Sequence, residues 1–227
     1  MLTKKDIAKR SLYVSITALI VCIIGYQYID GPLVLWLNNH HSKQWGIFSI
    51  ITQLANYITF FPHYLFTPFG IYILIRGVFG TPTCFEKKLF LLLIIILLGY
   101  DGIISNYFRS ILGREWPSTW GNHVLSFITT NSSSFHFRIH NRIYGSFPSG
   151  HALLSATVGT FVWYYWPKLR YYFLVFTIYI CFSMVINYYH YFSDVISGAA
   201  IGYLICLYMY YIQQNNKFKL SFLEGQA

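Results

Sequence analysis

The chain has 227 residues, of which 56% are hydrophobic, 21% aromatic and only 10% charged. This leaves too little polar surface to cover a soluble globule, so the composition excludes an ordinary soluble domain and predicts a polytopic membrane protein. The formal net charge of +9 is not gathered into the basic stripe that a nucleic-acid-binding protein needs, and we predict no nucleic-acid partner.

Apolar segments of about the 20 residues needed for a helical span follow one another along the chain. Six strong ones lie near 12–29, 62–79, 89–110, 150–166, 171–189 and 192–212. A weaker segment near 45–60 carries polar residues, and we expect it to form an interfacial helix. The predicted fold class is therefore all-α: a polytopic membrane helix bundle of six transmembrane helices plus an interfacial helix, in one domain over 1–227. If 45–60 did span, the count would be seven and the termini would lie on opposite sides.

Basic residues favour the six-span arrangement. When the first segment runs outward, eleven of the sixteen basic residues fall on cytoplasmic tails and short loops, as the positive-inside rule requires. Both termini are then cytoplasmic, and the first segment is a span rather than a cleaved signal, because no small-residue cleavage site follows it. All eight histidines fall on or near the outer side, where we expect the functional site. The four cysteines lie within spans or on an inner loop, so no external disulfide is predicted.

Two short motifs lie at the outer ends of predicted spans. Pro148-Ser149-Gly150-His151 opens the fourth span, and His190, followed four residues later by Asp194, closes the fifth. The third span ends outward at Arg109, so antiparallel packing would bring all of these residues around one pocket. The longest connection, about 113–147, lies on the same side, and long connections in compact folds are more often functional than idle.

These residue types suit phosphoryl transfer. Backbone N–H groups at a helix start near Ser149 and Gly150 favour an anion, and Arg109 adds bidentate recognition of phosphate. One histidine can attack phosphorus while the other protonates the leaving oxygen. Asp194, one helical turn after His190, is placed to bond that imidazole and fix its tautomer.

The two motifs resemble the second and third signatures of the type 2 phosphatidic acid phosphatase and haloperoxidase superfamily. The family's first signature, Lys-x6-Arg-Pro, is similar to Arg109 through Pro117, with Arg109 in place of Lys and Trp116 in place of Arg. The third signature opens on Ser-Arg, and here that pair is Ser183 and Met184. The resemblance covers about 101–200 by motif and includes a possible lipid A or undecaprenyl-diphosphate phosphatase-like branch.

The resemblance implies a role for each matching residue. His190 would be the nucleophile that forms a phosphohistidine, with Asp194 orienting it and His151 acting as general acid. Phosphate-binding residues would be Arg109, Arg114, Ser149 and Gly150. Compensation for the two missing arginines is expected from Arg114, Arg138, Arg142 and Asn187.

The expected activity is hydrolysis of a phosphomonoester or diphosphate on a membrane lipid. Lipid A, undecaprenyl diphosphate, phosphatidylglycerophosphate and phosphatidic acid are the candidate substrates, with a slight preference for lipid A. We expect a multi-pass protein of a bacterial inner membrane, with the site facing the periplasm or outside and with the bilayer and the lipid substrate as its partners.

Other readings remain open at this point. The protein could be a lipid phosphotransferase, or a non-catalytic lipid-binding or transport protein with a degenerate phosphate site. His136 and His140 have the spacing of a metal pair, but a third ligand is missing, so we predict no metal and no cofactor. Asp101 lies inside the third span, where a helix–helix hydrogen bond is as good an explanation as a functional role.

Overall fold

A computed structural model describes residues 2–44, 46–80, 83–97, 99, 107–118, 126–138 and 144–215. These residues are mostly helical, as predicted. The longer helices are α1 (Lys4–Ile24), α2 (Asp30–Asn39), α3 (Gly46–Phe79), α4 (Cys84–Leu97), α7 (Gly150–Tyr165), α8 (Arg170–Ile186) and α9 (Phe192–Asn215). Between α4 and α7 lie two short helices, α5 (Arg109–Ile111) and α6 (Phe127–Thr130), and two strands, β1 (Leu112–Arg114) and β2 (Phe135–Phe137).

The two strands are a departure from the all-α prediction. They form a small antiparallel sheet in which Leu112 pairs with Phe137 and Arg114 with Phe135. A further bridge joins Arg114 to Gly145, close to the start of α7. Strands of three residues are too short to show an alternating pattern, and only the pairing across the long connection creates them. The sheet fixes Arg114 next to the segment that leads into α7.

The first helical unit is longer than the predicted segment 12–29. The side chain of Thr3 accepts a hydrogen bond from the Asp6 N–H, and the Asp6 carboxylate accepts one from the Thr3 N–H, so a capping box starts α1 at Lys4. The helix then passes through a π-helical turn, Gly25–Ile29, directly into α2. The resulting apolar helix, Lys4–Asn39, has 36 residues. Asp30, which follows the end of the predicted segment, therefore lies within this helix.

Three helices in the described part of the chain are long and apolar enough to cross a membrane. They are Lys4–Asn39, Pro167–Ile186 and Phe192–Gln214. They correspond to the predicted first, fifth and sixth spans and are consistent with a membrane protein. The count of six spans stays a prediction.

The predicted interfacial helix does not exist as a separate element. Residues 45–60 and 62–79 were expected to form two helices, but Gly46–Phe79 is a single helix of 34 residues. One of the polar side chains that suggested an interface has a partner within the protein: Thr52 is 1% exposed and its hydroxyl accepts a hydrogen bond of 2.8 Å from Nδ2 of Asn187, the C-cap of α8. A polar residue whose hydrogen bond is satisfied by a neighbouring helix need not face water.

Close packing of α7 against α9 aligns the two predicted motifs. A Cβ atom on Gly198 would lie 2.3 Å from the Ser149 carbonyl oxygen, and one on Gly202 would lie 2.3 Å from that of Leu153. Small residues four positions apart allow helix backbones to approach this closely. A hydrogen bond of 3.0 Å from the Ser149 N–H to the Asp194 carbonyl also joins the two helices. The start of α7 and the start of α9 are thereby locked together.

Helix α1 runs along the same bundle and joins its two ends. At one end, Arg10 Nη1 donates to the Tyr164 hydroxyl near the end of α7, over 3.2 Å. At the other end, Asp30 accepts a hydrogen bond of 3.1 Å from the Ser193 N–H at the start of α9. We call the second the motif end of the bundle and the first the opposite end.

Candidate active site

His190 lies in a tight turn between α8 and α9. Helix α8 ends at Ile186 with Asn187 as its C-cap, Tyr188 adopts a left-handed conformation with φ of 41°, and α9 begins at Phe192. A bulky residue rarely takes positive φ, so the surrounding contacts must enforce it. The His190 N–H donates to the Met184 carbonyl over 3.2 Å, which closes the turn. The turn therefore fixes the position of His190 through its own backbone.

The imidazole of His190 is held in one tautomer. The ring is 3% exposed, and Nδ1 lies 2.9 Å from the carbonyl oxygen of Ser146. A carbonyl only accepts hydrogen bonds, so Nδ1 carries the proton and donates it. The other nitrogen, Nε2, is then unprotonated and has a lone pair. This is the arrangement that a nucleophilic histidine requires.

Asp194 lies beneath this histidine but does not bond it directly. The sequence predicted that His190 and Asp194 lie one helical turn apart on the same helix and form a hydrogen bond. In the structure, His190 lies in the loop before α9, and only Asp194 belongs to the helix. Their closest approach, Nδ1 to Oδ2, is 3.8 Å, which is an ion-pair distance. The same Oδ2 accepts a hydrogen bond of 2.5 Å from the Ser146 hydroxyl. Asp194 thus holds Ser146, whose carbonyl holds His190.

The other oxygen of Asp194 is paired with Arg114. Arg114 Nη1 lies 2.5 Å from Asp194 Oδ1, and Nη2 lies 2.8 Å from Asp30 Oδ2. All three side chains are fully buried. Ser193 completes the cluster, because its hydroxyl contacts Asp30 and accepts a hydrogen bond of 2.8 Å from Arg114 Nη1. We call these four residues the ion cluster.

Arginine is held in its charged form within this cluster. Burial alone would lower the pKa of the Arg114 guanidinium, but the carboxylates of Asp194 and Asp30 outweigh burial and raise the pKa above its usual value. The guanidinium carbon also lies 3.8 Å from the centre of the Tyr191 ring. Arg114 was predicted to bind phosphate, yet its guanidinium is turned to two carboxylates and the Ser193 hydroxyl. A phosphate-binding role is not what this geometry favours.

His151 faces His190 across the site. It occupies the first turn of α7, and the two imidazole rings have centroids 6.0 Å apart at an interplanar angle of 60°. Its Nε2 atom is buried and has no hydrogen-bond partner within the described residues. An unsatisfied buried imidazole nitrogen is costly in a resting protein and therefore favours a polar ligand at this point. The two histidines are placed to flank one small anion.

The start of α7 is used differently from the prediction. Ser149 is the N-cap, and its hydroxyl accepts a hydrogen bond of 3.4 Å from the Ala152 N–H. Its own N–H, which was expected to face an anion, donates to the Asp194 carbonyl instead. Gly150 is buried as the first residue of the helix. Ser149 therefore joins the helices, and the positive helix end rather than its N–H supports an anion.

The remaining predicted cations divide into three cases. Arg109, the first residue of α5, is half-buried and lies close enough to His151 for the two positive charges to repel each other, and an anion bound between them would relieve that repulsion. Arg138 is exposed just after β2, where its N–H donates to Ile111. Arg142 lies outside the described residues, as do His140 and Asp101.

Asn187 was predicted as a donor near His190, but it serves the helix packing. Its Nδ2 donates to Thr52 on α3 and, over 3.0 Å, to the Ser183 carbonyl. His136, which was considered as half of a metal pair, has Nε2 within 2.9 Å of Glu115 Oε1. Both residues therefore have partners away from the two catalytic histidine candidates.

The two positions where the family signatures have arginine are apolar and differ in their surroundings. Met184 is fully buried among Ala152, Ile180 and Val195. Trp116 is half-buried beside the nucleophile candidate, with ring centroids of Trp116 and His190 5.3 Å apart. Met184 is therefore part of the hydrophobic core next to the turn that holds His190, whereas the Trp116 ring lines the site itself.

Sequence reasoning missed three residues of this site. Asp30 is an ionisable residue within an apolar helix, which by itself marks a functional position, but the predicted span ended just before it. Ser193 and Ser146 carry no such signal, because serines next to motif residues are common. Their roles follow only from the hydrogen bonds that they make to Asp30 and Asp194.

Comparisons with known proteins agree with this geometry. The family model for the PAP2 superfamily matches residues 88–218. That range holds both histidines, Asp194 and Arg114, and it covers more than half of the chain. Comparison with curated proteins and with solved structures gives no match. The match to the family model confirms the resemblance drawn from the two motifs: this chain belongs to the PAP2 superfamily.

Proposed function

We propose that the protein is a membrane lipid phosphatase that hydrolyses a phosphomonoester or diphosphate through a phosphohistidine on His190. Membership of the PAP2 superfamily indicates phosphatase activity on phosphorylated substrates. The observation that carries the finer proposal is the hydrogen bond of 2.9 Å between His190 Nδ1 and the Ser146 carbonyl. It keeps the lone pair on Nε2, on a histidine whose ring lies 6.0 Å from a second one.

In the first step, the Nε2 lone pair of His190 attacks phosphorus. The N–P bond forms as the bond from phosphorus to the oxygen of the lipid breaks, and His151, which takes up a proton when the phosphate anion binds beside it, gives that proton to the oxygen. The imidazole of His190 becomes cationic while it carries the phosphoryl group. Asp30, Asp194 and Arg114 together carry one surplus negative charge, which stabilises this cation at close range.

In the second step, water attacks the phosphohistidine. His151, now neutral, takes a proton from the water as the O–P bond forms, and the N–P bond breaks to return the electron pair to Nε2 of His190. Inorganic phosphate leaves, and His151 is protonated again. Arg109 supports both steps by binding the phosphoryl oxygens, because an anion held between Arg109 and His151 offsets the repulsion of the two cations.

The substrate that we favour is a phosphorylated glycolipid such as lipid A. Trp116 places an aromatic ring next to His190, at the position where the family signature has an arginine. An arginine there would bind the phosphate of any substrate. An aromatic ring packs well against the C–H face of a sugar and gives nothing to a bare phosphate. We further propose that the site opens at the outer, periplasmic leaflet, because the excess of basic residues lies toward the opposite side in the predicted topology.

Release of inorganic phosphate from a panel of lipids tests the proposal. The panel contains lipid A, undecaprenyl diphosphate, phosphatidylglycerophosphate and phosphatidic acid. We expect His190→Ala and His151→Ala each to lower kcat by at least about 10²–10⁴-fold, the usual contribution of a general acid or nucleophile. His40→Ala, at an exposed histidine on the end of α2, is the matched control and should retain activity. Variants of both site histidines that match the wild type would refute the mechanism.

A substrate with a good leaving group separates the two steps. The phenolate of p-nitrophenyl phosphate leaves without protonation, so His151→Ala should still form the intermediate but hydrolyse it slowly. We expect an acid-labile, base-stable phosphoenzyme in His151→Ala and none in His190→Ala. A second phosphorylated lipid in place of free phosphate would identify a phosphotransferase, and lipid binding without any turnover would identify a binding protein.

A further inference from the structure

A groove lies at the opposite end of the bundle, away from the two histidines. It has a volume of about 420 Å³, which is within the range of small-molecule sites. Helices α1, α7, α8 and α9 all contribute to its walls. Its lining on α7 runs from Ala156 to Tyr164, which lie 5 and 13 positions after His151, so the groove extends from about 8 Å to about 20 Å along the helix axis from the proposed active site.

The walls of the groove are mostly apolar or aromatic. Ala156 and Gly159 form its floor on α7, and Leu174 lines it from α8, where this side chain is 41% exposed. Gly159 leaves room for Thr177 of α8, because a Cβ atom at this position would lie 2.5 Å from the Thr177 hydroxyl oxygen. A long apolar chain fits such a surface better than a soluble polar molecule does.

Two arginines stand at the rim of this groove. Arg10 on α1 lines it and donates a hydrogen bond of 3.2 Å to the Tyr164 hydroxyl. Arg170, the first residue of α8, lies with its guanidinium carbon 5.2 Å from the centre of the Trp163 ring, which also lines the groove. Trp163 and Tyr164 are neighbours in the chain, so one cation lies beside each of two consecutive lining residues.

Neither rim arginine is neutralised by the protein. Within the described residues, Arg10 and Arg170 form no ion pair with a carboxylate, in contrast to Arg114 at the other end of the bundle. Further exposed basic residues surround the same end, at Lys4, Lys5, Lys9 and Lys168. Tyrosine and tryptophan at this level are typical of the headgroup region of a bilayer. Basic pockets between membrane helices on the cytoplasmic side are suited to anionic lipid headgroups.

We propose that the groove is a second lipid site, which binds an anionic phospholipid of the inner leaflet. The phosphate of the headgroup lies between Arg10 and Arg170, and one acyl chain follows the groove along α7. Apolar walls with two unpaired cations at one end match an anion attached to a long chain. This lipid is a bound component and not the substrate, because its phosphate lies at the Tyr164 end of the groove, about 20 Å along α7 from His151.

Lipid binding to the purified full-length protein tests this site. Native mass spectrometry, or thermal stability in detergent with added lipid, would compare phosphatidylglycerol with phosphatidylcholine. The test variant is the double substitution Arg10→Gln and Arg170→Gln. The control removes the same charge from exposed lysines at the same end, as Lys4→Gln with Lys168→Gln. We expect the test variant to lose about thirtyfold in affinity for phosphatidylglycerol, which corresponds to about 1 kcal/mol per arginine.

A second variant blocks the groove without touching the arginines. Leu174→Trp fills the space from an exposed position on α8 and should weaken phosphatidylglycerol binding while the thermal stability in the absence of lipid is unchanged. An equal loss in the lysine control would show that binding is only a response to surface charge and would overturn the site. Equal affinity of the wild type for phosphatidylcholine would overturn the anionic occupant, and full binding by Leu174→Trp would overturn the groove as its location.

Discussion

Removal of the Arg114 guanidinium leaves two buried carboxylates without a counter-charge. Asp30 and Asp194 are both fully buried. Arg114→Met keeps most of the side-chain volume but removes the positive charge from both carboxylates at once. Loss of one partner of a buried ion pair typically costs about 3–5 kcal/mol. Because a domain is stable by only about 5–15 kcal/mol, we expect the unfolding midpoint of Arg114→Met to fall sharply.

Denaturant unfolding of the purified protein in detergent measures this change. Arg138→Met is the matched control, since that arginine is exposed beyond the paired strand, and its unfolding free energy should change by no more than about 0.5 kcal/mol. Adding Asp30→Asn to Arg114→Met removes one of the uncovered charges. The double variant should therefore be more stable than the sum of the single changes by about 1–3 kcal/mol. Additive effects, or an Arg114→Met protein as stable as the control, would refute the ion cluster as a stabilising unit.

Three further variants test, in turn, the hydrogen bond from Ser146 to Asp194, the close packing of α7 against α9 and the role of Trp116. Ser146→Ala removes the hydroxyl that Asp194 holds, and we expect kcat to fall about tenfold, the equivalent of one net hydrogen bond of about 1.4 kcal/mol, with KM little changed. Gly198→Ala places a methyl group against the Ser149 carbonyl, and overpacking of this kind should cost about 1–3 kcal/mol in the unfolding free energy and lower kcat. Trp116→Ala should lower kcat/KM for lipid A more than for phosphatidic acid in the lipid panel.

Each of these changes has a control. Ser134→Ala alters an exposed serine in the same connection and should leave kcat unchanged. Gly46→Ala adds a methyl group where no atom lies within 4 Å, so the unfolding free energy should not decrease. Trp116→Phe keeps an aromatic ring and should retain the preference for lipid A. Equal losses in a test variant and its control, or an unchanged substrate preference in Trp116→Ala, would contradict the corresponding role.

The catalytic residue types were predictable because they lie in short motifs at helix ends. A helix start after Pro148 and a histidine before an apolar helix are local features, and α7 and α9 begin where those features occur. The roles around them were not predictable. Arg114 pairs with Asp30, 84 positions away, and Asp194 reaches His190 chiefly through Ser146, 48 positions before it. Contacts of this separation leave no periodic trace in the chain.

Composition by itself predicted a membrane protein, since so few polar side chains cannot cover a soluble surface, and the paired motifs predicted the family. Tertiary structure alone showed that Gly46–Phe79 is one helix, within which Thr52 accepts a hydrogen bond from Asn187 instead of facing an interface. Tertiary structure also distinguishes the two arginines near the site and leaves Arg109 as the candidate phosphate ligand. Arg109 and Arg114 look equivalent in the sequence, but the strand pairing turns Arg114 inward to two carboxylates, where a charge is stable only if it is paired.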